Sequence, residues 1–235
     1  MNKRRLIFYN DSRHYYMYCY DPPMRLEDAW APVDEIAGTG VDTFVYGSGD
    51  GPTFLHNTQV GEIWGTRLDN FSQADQPSVL WGLASWRAYE NMKSLMDRGL
   101  DPMNVLIDRA HDKGLDFFAS LRLTHSSDPK QLAHHNNWQF RIDHPEWCIR
   151  GEGKYNFNWI HPEVPAERLA IIEETVNRFT VAGAKINERF ILLWVLGCLF
   201  MCFLGFEQVR VLDEIVNRST AASAKITERL VSCAS

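Results

Sequence analysis

Short apolar runs alternate with segments of helical periodicity along the first 179 residues of this 235-residue chain. Three compact apolar runs have the length of strands: residues 6–9, 41–46 and 115–121. We expect the first of them to be a buried strand that ends at Asp11. Three other segments repeat apolar side chains at the spacing of one helix face: residues 26–37, 86–99 and 165–179. Strand and helix signals therefore alternate.

Prolines, aspartates and glycines indicate where the helices begin and end. Pro32 lies inside the 26–37 pattern and should kink or restart that helix. A fourth helix has the clearest signals, with Asp101 as N-cap, Pro102 in the first turn and Gly114 just past the end. Successive strand–helix units predict an α/β fold with parallel strands and right-handed crossovers.

Chain length limits this fold. About three βα units occupy the first 179 residues, whereas a complete TIM barrel of eight units takes ~250 residues. The chain can therefore form only a partial (β/α) TIM-type barrel, which we assign to residues 1–179, followed by a helical C-terminal tail over residues 180–235. A long loop is expected after the second strand, and an irregular segment between the third strand and the last helix.

The tail has two unusual features. Residues 190–206 contain no charged side chain, and these seventeen residues equal the lower limit for a membrane-spanning helix. Residues 173–190 recur at 213–230, with eleven of eighteen positions identical. Two amphipathic helices around an apolar one, and a local rearrangement of the coding sequence, explain this repeat equally well. The apolar segment could equally be a buried helix that packs over the open side of the half barrel.

Composition excludes several classes of protein. The net charge of −6 argues against a dedicated nucleic-acid binder, and the five cysteines form no CxxC pair. Only four apolar residues follow the basic start, so we expect no signal peptide and a cytoplasmic protein, with membrane association through 190–206 left open. We expect no cofactor. We also expect no metal ion, because proline biases His144 and His161 towards the extended backbone of a turn.

Three motifs, in order along the chain, carry a resemblance to a known family. They are the run from Asp101 to Ser120, His144-Pro-Glu-Trp147, and the segment from Asn156 to Val164. This series resembles the family 10 glycosylhydrolase-like proteins, in which a D-P-…-L-I-x-x-A-H-x-x-G helix precedes a strand, an HPEW motif and an N-x-x-HPEV segment. The resemblance covers roughly residues 4–179. It implies a TIM-type barrel that acts on carbohydrate.

The sequence departs from this family after Phe179. The family continues with a fourth strand that ends in an acidic, presumed catalytic residue, whereas residues 180–189 here read TVAGAKINER. Glycoside hydrolysis usually needs two carboxylates about 5–10 Å apart. We therefore expect a glycoside-hydrolase-like domain, incomplete and without independent catalysis. The alternatives are a membrane-anchored binding or interaction protein and an inactive, truncated gene product.

Candidate site residues follow from the rule that ligands bind at the carboxyl ends of parallel strands. Asp11 and His125 are the catalytic candidates. The candidates for substrate binding are Arg13, His14, Tyr46, Asp50, Arg122 and Trp159. Asp11 could instead be a turn or cap carboxylate, and His125 an exposed loop residue. Trp138, Trp147 and Trp159 could offer stacking faces to sugars, although packing of loops onto the barrel rim is the commoner use of indoles.

Overall fold

The computed structural model describes residues 5–51, 53–66, 79–122, 138–151 and 154–181. Its strands are β1 (Ile7–Asn10), β2 (Thr43–Gly47), β3 (Gly49–Asp50), β4 (Thr53–Phe54), β5 (Glu62–Ile63), β6 (Asp116–Ser120), β7 (Cys148–Gly151) and β8 (Lys154–Phe157). Its helices are α1 (Leu26–Ala29), α2 (Ala31–Asp34), α3 (Val79–Met96), α4 (Pro102–Asp112), α5 (Gln139–Asp143) and α6 (Glu163–Val181). A π-helical turn spans Tyr15–Cys19, and a 3-10 turn spans Pro145–Trp147.

The central sheet has the order β1-β2-β6, and both pairs are parallel. Asn10 lies opposite Tyr46, and Gly47 lies opposite Ser120, so the three strands end close together at one edge. The three strands match the three predicted apolar runs. This arrangement confirms the prediction of an α/β fold with parallel strands.

The first strand differs from its prediction. Leu6, Ile7, Phe8 and Tyr9 are all exposed, where the sequence predicted a buried strand. Among the described strands, β1 pairs with β2 alone, so its other edge has no described neighbour. An apolar run of this length indicates a strand but does not tell an edge strand from a central one.

Proline divides the predicted helix at 26–37 as expected. α1 ends at Ala29, Trp30 connects the two segments, and α2 begins at Ala31 with Pro32 in its first turn. A proline has no N–H to donate, so it is tolerated in the first turn and disrupts a helix interior. Val33 and Ala29 are buried, which keeps both short helices on the core.

The main core lies between the sheet and α4. Phe44 and Tyr46 of β2 and Phe117 of β6 form its aromatic centre, with ring centroids 5.6–6.3 Å apart. The other buried members are Val33, Ile36, Met103, Leu106, Ile107, Ala110, Leu115 and Phe179. Phe179 brings the carboxyl-terminal end of α6 to this cluster. Leu106, Ile107 and Ala110 are thus the face of α4 that packs on the sheet.

A second core joins the π-helical turn to α3. It contains Tyr16 and Met17 from the turn and Ala88, Met92 and Leu95 from α3. The turn leaves backbone carbonyls without helical partners, and a buried asparagine side chain supplies the missing donors. Asn91 Nδ2 donates to the carbonyls of Tyr16 (3.0 Å) and Tyr20 (2.9 Å). α3 starts at Val79, seven residues before the predicted position.

Two segments expected to be irregular contain strands. The long loop after β2 includes β3, β4 and β5, which form a small sheet. Gly49 is required there, because a Cβ atom would lie 2.2 Å from the Thr53 carbonyl oxygen. Between β6 and α6 lie α5 and the antiparallel hairpin of β7 and β8. These strands are too short to give a period-2 pattern.

Residues 180 and 181 of the predicted tail and residues 173–181 of the first copy of the repeat belong to α6. The rest of the tail, the second copy and the apolar segment 190–206 lie outside the described residues. Among the helices that the structure describes, none combines the length and apolar character needed to cross a bilayer.

Asp101 ties α4 to two other parts of the fold. One carboxylate oxygen accepts from the amides of Met103 (3.0 Å) and Asn104 (3.3 Å), which confirms the predicted N-cap. The other accepts from Arg178 Nη2 of α6 (2.8 Å) and from the amide of Asn57 (3.2 Å). Gly114, with φ +73°, follows the other end of α4 as predicted.

We expect Asp101→Ala to lower the free energy of unfolding by about 2 kcal/mol, because it removes both the cap and the partner of Arg178. Asp101→Asn should lose about half as much, since asparagine also caps helices well. Asp108→Ala, at an exposed position of the same helix, is the control and should change stability by less than about 0.5 kcal/mol. Urea unfolding measures all three, and equal losses for Asp101→Ala and Asp108→Ala would contradict this assignment.

Candidate functional site

The carboxyl end of β1 brings a carboxylate, a guanidinium and an imidazole together. Asp11 Oδ2 lies 3.3 Å from Arg13 Nη2, and Asp11 Oδ1 lies 2.9 Å from His14 Nδ1. The Asp11 and Arg13 side chains are 31% and 24% exposed, so solvent reaches both. A carboxylate oxygen has two lone pairs, and each Asp11 oxygen can accept a further hydrogen bond from a ligand.

Ser12 forces the turn that creates this cluster. Its φ is +74°, and the Arg13 amide donates to the Asp11 carbonyl across it at 3.0 Å. An i→i+2 hydrogen bond around a positive φ is the rare and strained form of the γ-turn. Such a conformation in a residue other than glycine costs about 1 kcal/mol or more. Ser12 is completely buried, so this strain is held by the surrounding structure.

Tyr46 lies at the same edge, but its side chain points into the protein. It is buried, and its hydroxyl donates to the Ser12 carbonyl oxygen (3.2 Å). Burial, foremost, raises the pKa of Tyr46 well above its ordinary value, so the hydroxyl stays protonated at neutral pH. A contact between this hydroxyl and a sugar stays a prediction. In the structure the hydroxyl binds the backbone of Ser12.

Trp64 was not among the predicted site residues. Its ring is fully buried, and the Arg13 guanidinium lies 5.9 Å from the ring centre. A cation over an indole face at this distance is favourable, so Trp64 helps to orient Arg13. A single tryptophan in an unpatterned loop gave no signal for this role in the sequence.

A buried histidine lies beside the ends of β2 and β6. His56 packs between Phe54 and Phe179, with ring centroids 5.0 and 4.8 Å away, and hydrogen-bonds to the Ser48 backbone. Burial, foremost, and the charge of Arg178 lower its pKa to about 3. Ser48 in turn bonds to the Ser120 carbonyl through its amide (2.8 Å). His56 is therefore a neutral part of the core at this edge.

The remaining predicted residues are Arg122, Asp50, His125 and Trp159. Arg122 follows β6 at the same edge of the sheet and is half-buried. Asp50 lies in β3, and its side chain is outside the described part of the structure. His125 lies outside the described residues altogether. Trp159 packs on a separate cluster of Trp138, Phe157 and Val164.

The other aromatic candidates pack against protein groups. Trp138 is buried, and the His144 imidazole stacks on Trp147 with centroids 3.7 Å apart and planes 8° apart. His161 also stacks on Trp147, at 6.0 Å. Within the described residues no group of three or more side chains is placed to bind a metal ion.

Two arginines are buried beside these aromatic rings. The Arg141 and Arg168 guanidinium groups lie 4.6 and 4.8 Å from the Trp138 ring centre. Burial, foremost, lowers the pKa of Arg141 to about 10. Arg168 Nη1 lies 3.2 Å from Glu167 Oε2, and burial raises the pKa of that carboxyl. This cluster joins α5 to the first turns of α6.

Comparison with protein families now identifies the chain. Residues 71–213, more than half of its length, match the family described as Glycosyl hydrolase-like 10. The chain belongs to this family. The match confirms the resemblance drawn from the motifs between Asp101 and Val164. The matched region begins after β1 and β2, so Asp11 and Tyr46 lie outside it. It ends at residue 213, beyond the domain boundary that the sequence predicted at residue 179.

Two solved structures are similar over about a third of their own length. An alpha-amylase from Lactobacillus plantarum has 12% identity and a TM-score of 0.39, covering 74% of this chain and 36% of that one. A noncanonic maltogenic alpha-amylase from Thermotoga neapolitana has 14% identity and a TM-score of 0.40, covering 75% and 37%. No protein in the curated set matches the chain.

We expect His56 to make the fold sensitive to acid. Its pKa is near 3 when folded and 6.5 in the unfolded chain, so between these values only the unfolded state binds the proton. The free energy of unfolding should fall by up to about 1.4 kcal/mol per pH unit as the pH drops below 6.5. His56→Phe should remove this part of the dependence of stability on pH. Urea unfolding of the parent and the variant at pH 7, 6 and 5 measures the difference.

The control is His111→Gln, which changes an exposed histidine of α4. It should leave the dependence of stability on pH as it is in the parent protein. The assignment fails if His56→Phe keeps the full acid sensitivity of the parent.

Proposed function

We propose that this chain is a carbohydrate-active, glycoside-hydrolase-like domain, and that its sugar site lies at the carboxyl ends of β1, β2 and β6. The observation that carries the proposal is the cluster of Asp11, Arg13 and His14 at the end of a parallel strand, in a chain of the Glycosyl hydrolase-like 10 family. Ligands of parallel α/β sheets bind at this edge.

The chemistry of the cluster suits a sugar. Sugar hydroxyls both donate and accept hydrogen bonds, and the cluster offers carboxylate acceptors and guanidinium donors beside an imidazole. Hydrogen bonds to charged groups are about twice as strong as neutral ones. Trp64 limits the rotation of Arg13, so less entropy is lost when a ligand binds.

We further propose that residues 1–179 form part of a (β/α) barrel and that this chain binds glycans without hydrolysing them. The central sheet and its crossover helices support a partial barrel. Residues 180–189 read TVAGAKINER, which differs from the apolar strand with a terminal acidic residue that the family resemblance leads one to expect. One carboxylate of the usual pair would then be missing.

The test is binding of maltoheptaose, cellohexaose and chitohexaose, each measured by calorimetry. We expect at least one to bind and Asp11→Asn to weaken that binding about tenfold or more, because a charged acceptor is replaced by a neutral amide. No reducing ends should be released during prolonged incubation. Release that disappears in Asp11→Asn would overturn the non-hydrolytic part of the proposal.

Asp116→Asn is a matched control. Asp116 starts β6 at the opposite edge of the same sheet, is 30% exposed and lies 3.0 Å from Arg5. Its variant should therefore lose a similar ion pair without a change in affinity. The site assignment is overturned if Asp116→Asn weakens binding as much as Asp11→Asn, and the function is overturned if no probe binds the parent protein.

A further inference from the structure

The γ-turn at Ser12 is held by several hydrogen bonds. The Ser12 amide donates to Asn10 Oδ1 (2.7 Å), and the Ser12 hydroxyl donates to the Asp11 carbonyl (2.5 Å). Both bonds are local and could move with the turn. The Tyr46 hydroxyl, 34 residues away in the chain, is different, because it fixes the Ser12 carbonyl to the centre of the sheet.

Burial keeps the Tyr46 proton in place. The rings of Tyr46 and neighbouring Tyr16 are both 2% exposed, and burial raises the pKa of both hydroxyls. A tyrosine hydroxyl has one proton, and that of Tyr46 is donated to the Ser12 carbonyl oxygen. The Tyr46 hydroxyl is therefore protonated and acts as a donor to the backbone of the candidate site.

The two tyrosines are themselves fixed in place. Tyr46 belongs to β2, the central strand of the sheet. The Tyr16 carbonyl accepts from Asn91 of α3 at 3.0 Å. The Tyr46 hydroxyl therefore ties the residue between Asp11 and Arg13 to the central strand of the sheet.

We propose that Tyr46 is a positioning residue of the candidate sugar site: its hydroxyl holds the Ser12 peptide in the left-handed γ-turn and so sets the orientation of Asp11 and Arg13. Its effect on sugar affinity rests on the function proposed above, whereas its effect on the conformation of Ser12 does not.

Removal of the hydroxyl should release the turn. Ser12 would relax towards a negative φ, which is the sterically favoured region for serine. The Arg13 amide would then lose its bond to the Asp11 carbonyl, and the Arg13 guanidinium would leave the face of Trp64. The phenyl ring of Tyr46→Phe still fills the core, so the fold itself should persist.

The experiment compares Tyr46→Phe with the parent by NMR and by binding. The Ser12 backbone ¹³C and ¹⁵N shifts report its positive φ, and the Trp64 indole signal reports the guanidinium above the ring. We expect both to change in Tyr46→Phe. Affinity for whichever of maltoheptaose, cellohexaose or chitohexaose binds the parent should fall about tenfold. Unchanged Ser12 shifts in Tyr46→Phe would overturn the proposal.

Tyr15→Phe is the matched control, because it removes the hydroxyl of another buried tyrosine, in the π-helical turn that follows the candidate site. That hydroxyl donates to Glu35 instead of the site. It should leave Ser12, Trp64 and affinity as they are in the parent, and equal changes in both variants would overturn the proposal. If Tyr46→Phe does not fold, the double variant Tyr46→Phe/Ser12→Gly decides, since glycine adopts a positive φ without the bond from Tyr46. It should fold and keep the Trp64 signal of the parent, and a different Trp64 signal would overturn the proposal. If no probe binds, the proposed function fails and the Ser12 shifts still test the positioning role.

Discussion

β2 is the element on which the rest of the fold depends. It has a parallel partner on each edge, and all five of its residues are buried. Phe44 and Tyr46 on one face form the core with α4, while the backbone fixes where β1 and β6 end. Phe44 and Tyr46 lie on the α4 face of β2 and Thr43 and Val45 on the other, so a slip of one residue would exchange large aromatic side chains for smaller ones in the core. The register of the candidate site follows from this constraint.

Long-range polar contacts then fix the parts that the core does not reach. Asp101 joins the start of α4 to the end of α6 through Arg178. Glu174 of α6 accepts from the hydroxyl of Thr58 and the amide of Gln59, each at 2.6 Å. These bonds hold the loop after β4 against α6 and enclose His56. The edge of the sheet that carries Asp11 is therefore bordered by segments distant in sequence.

The site itself combines a strained turn with a rigid support. Ser12 has a backbone conformation that serine does not favour, and its burial with the bond from Tyr46 makes that conformation the stable one. A turn of this kind places side chains 11, 13 and 14 on one side of the chain. Orientation of charged groups before a ligand arrives reduces the entropy lost on binding.

Local signals in the sequence determined much of the fold. The N-cap at Asp101, the break at Pro32 and the three apolar runs each depend on neighbouring residues alone, so they could be read without a structure. The motifs between Asp101 and Val164 likewise indicated the family.

Only the tertiary structure decided which parts meet. The exposure of β1, the short strands β3 to β5, the burial of Tyr46 and the pairing of Trp64 with Arg13 all depend on contacts between distant residues. Composition and periodicity carry no record of such contacts, because a side chain is buried or exposed according to what the rest of the chain places beside it.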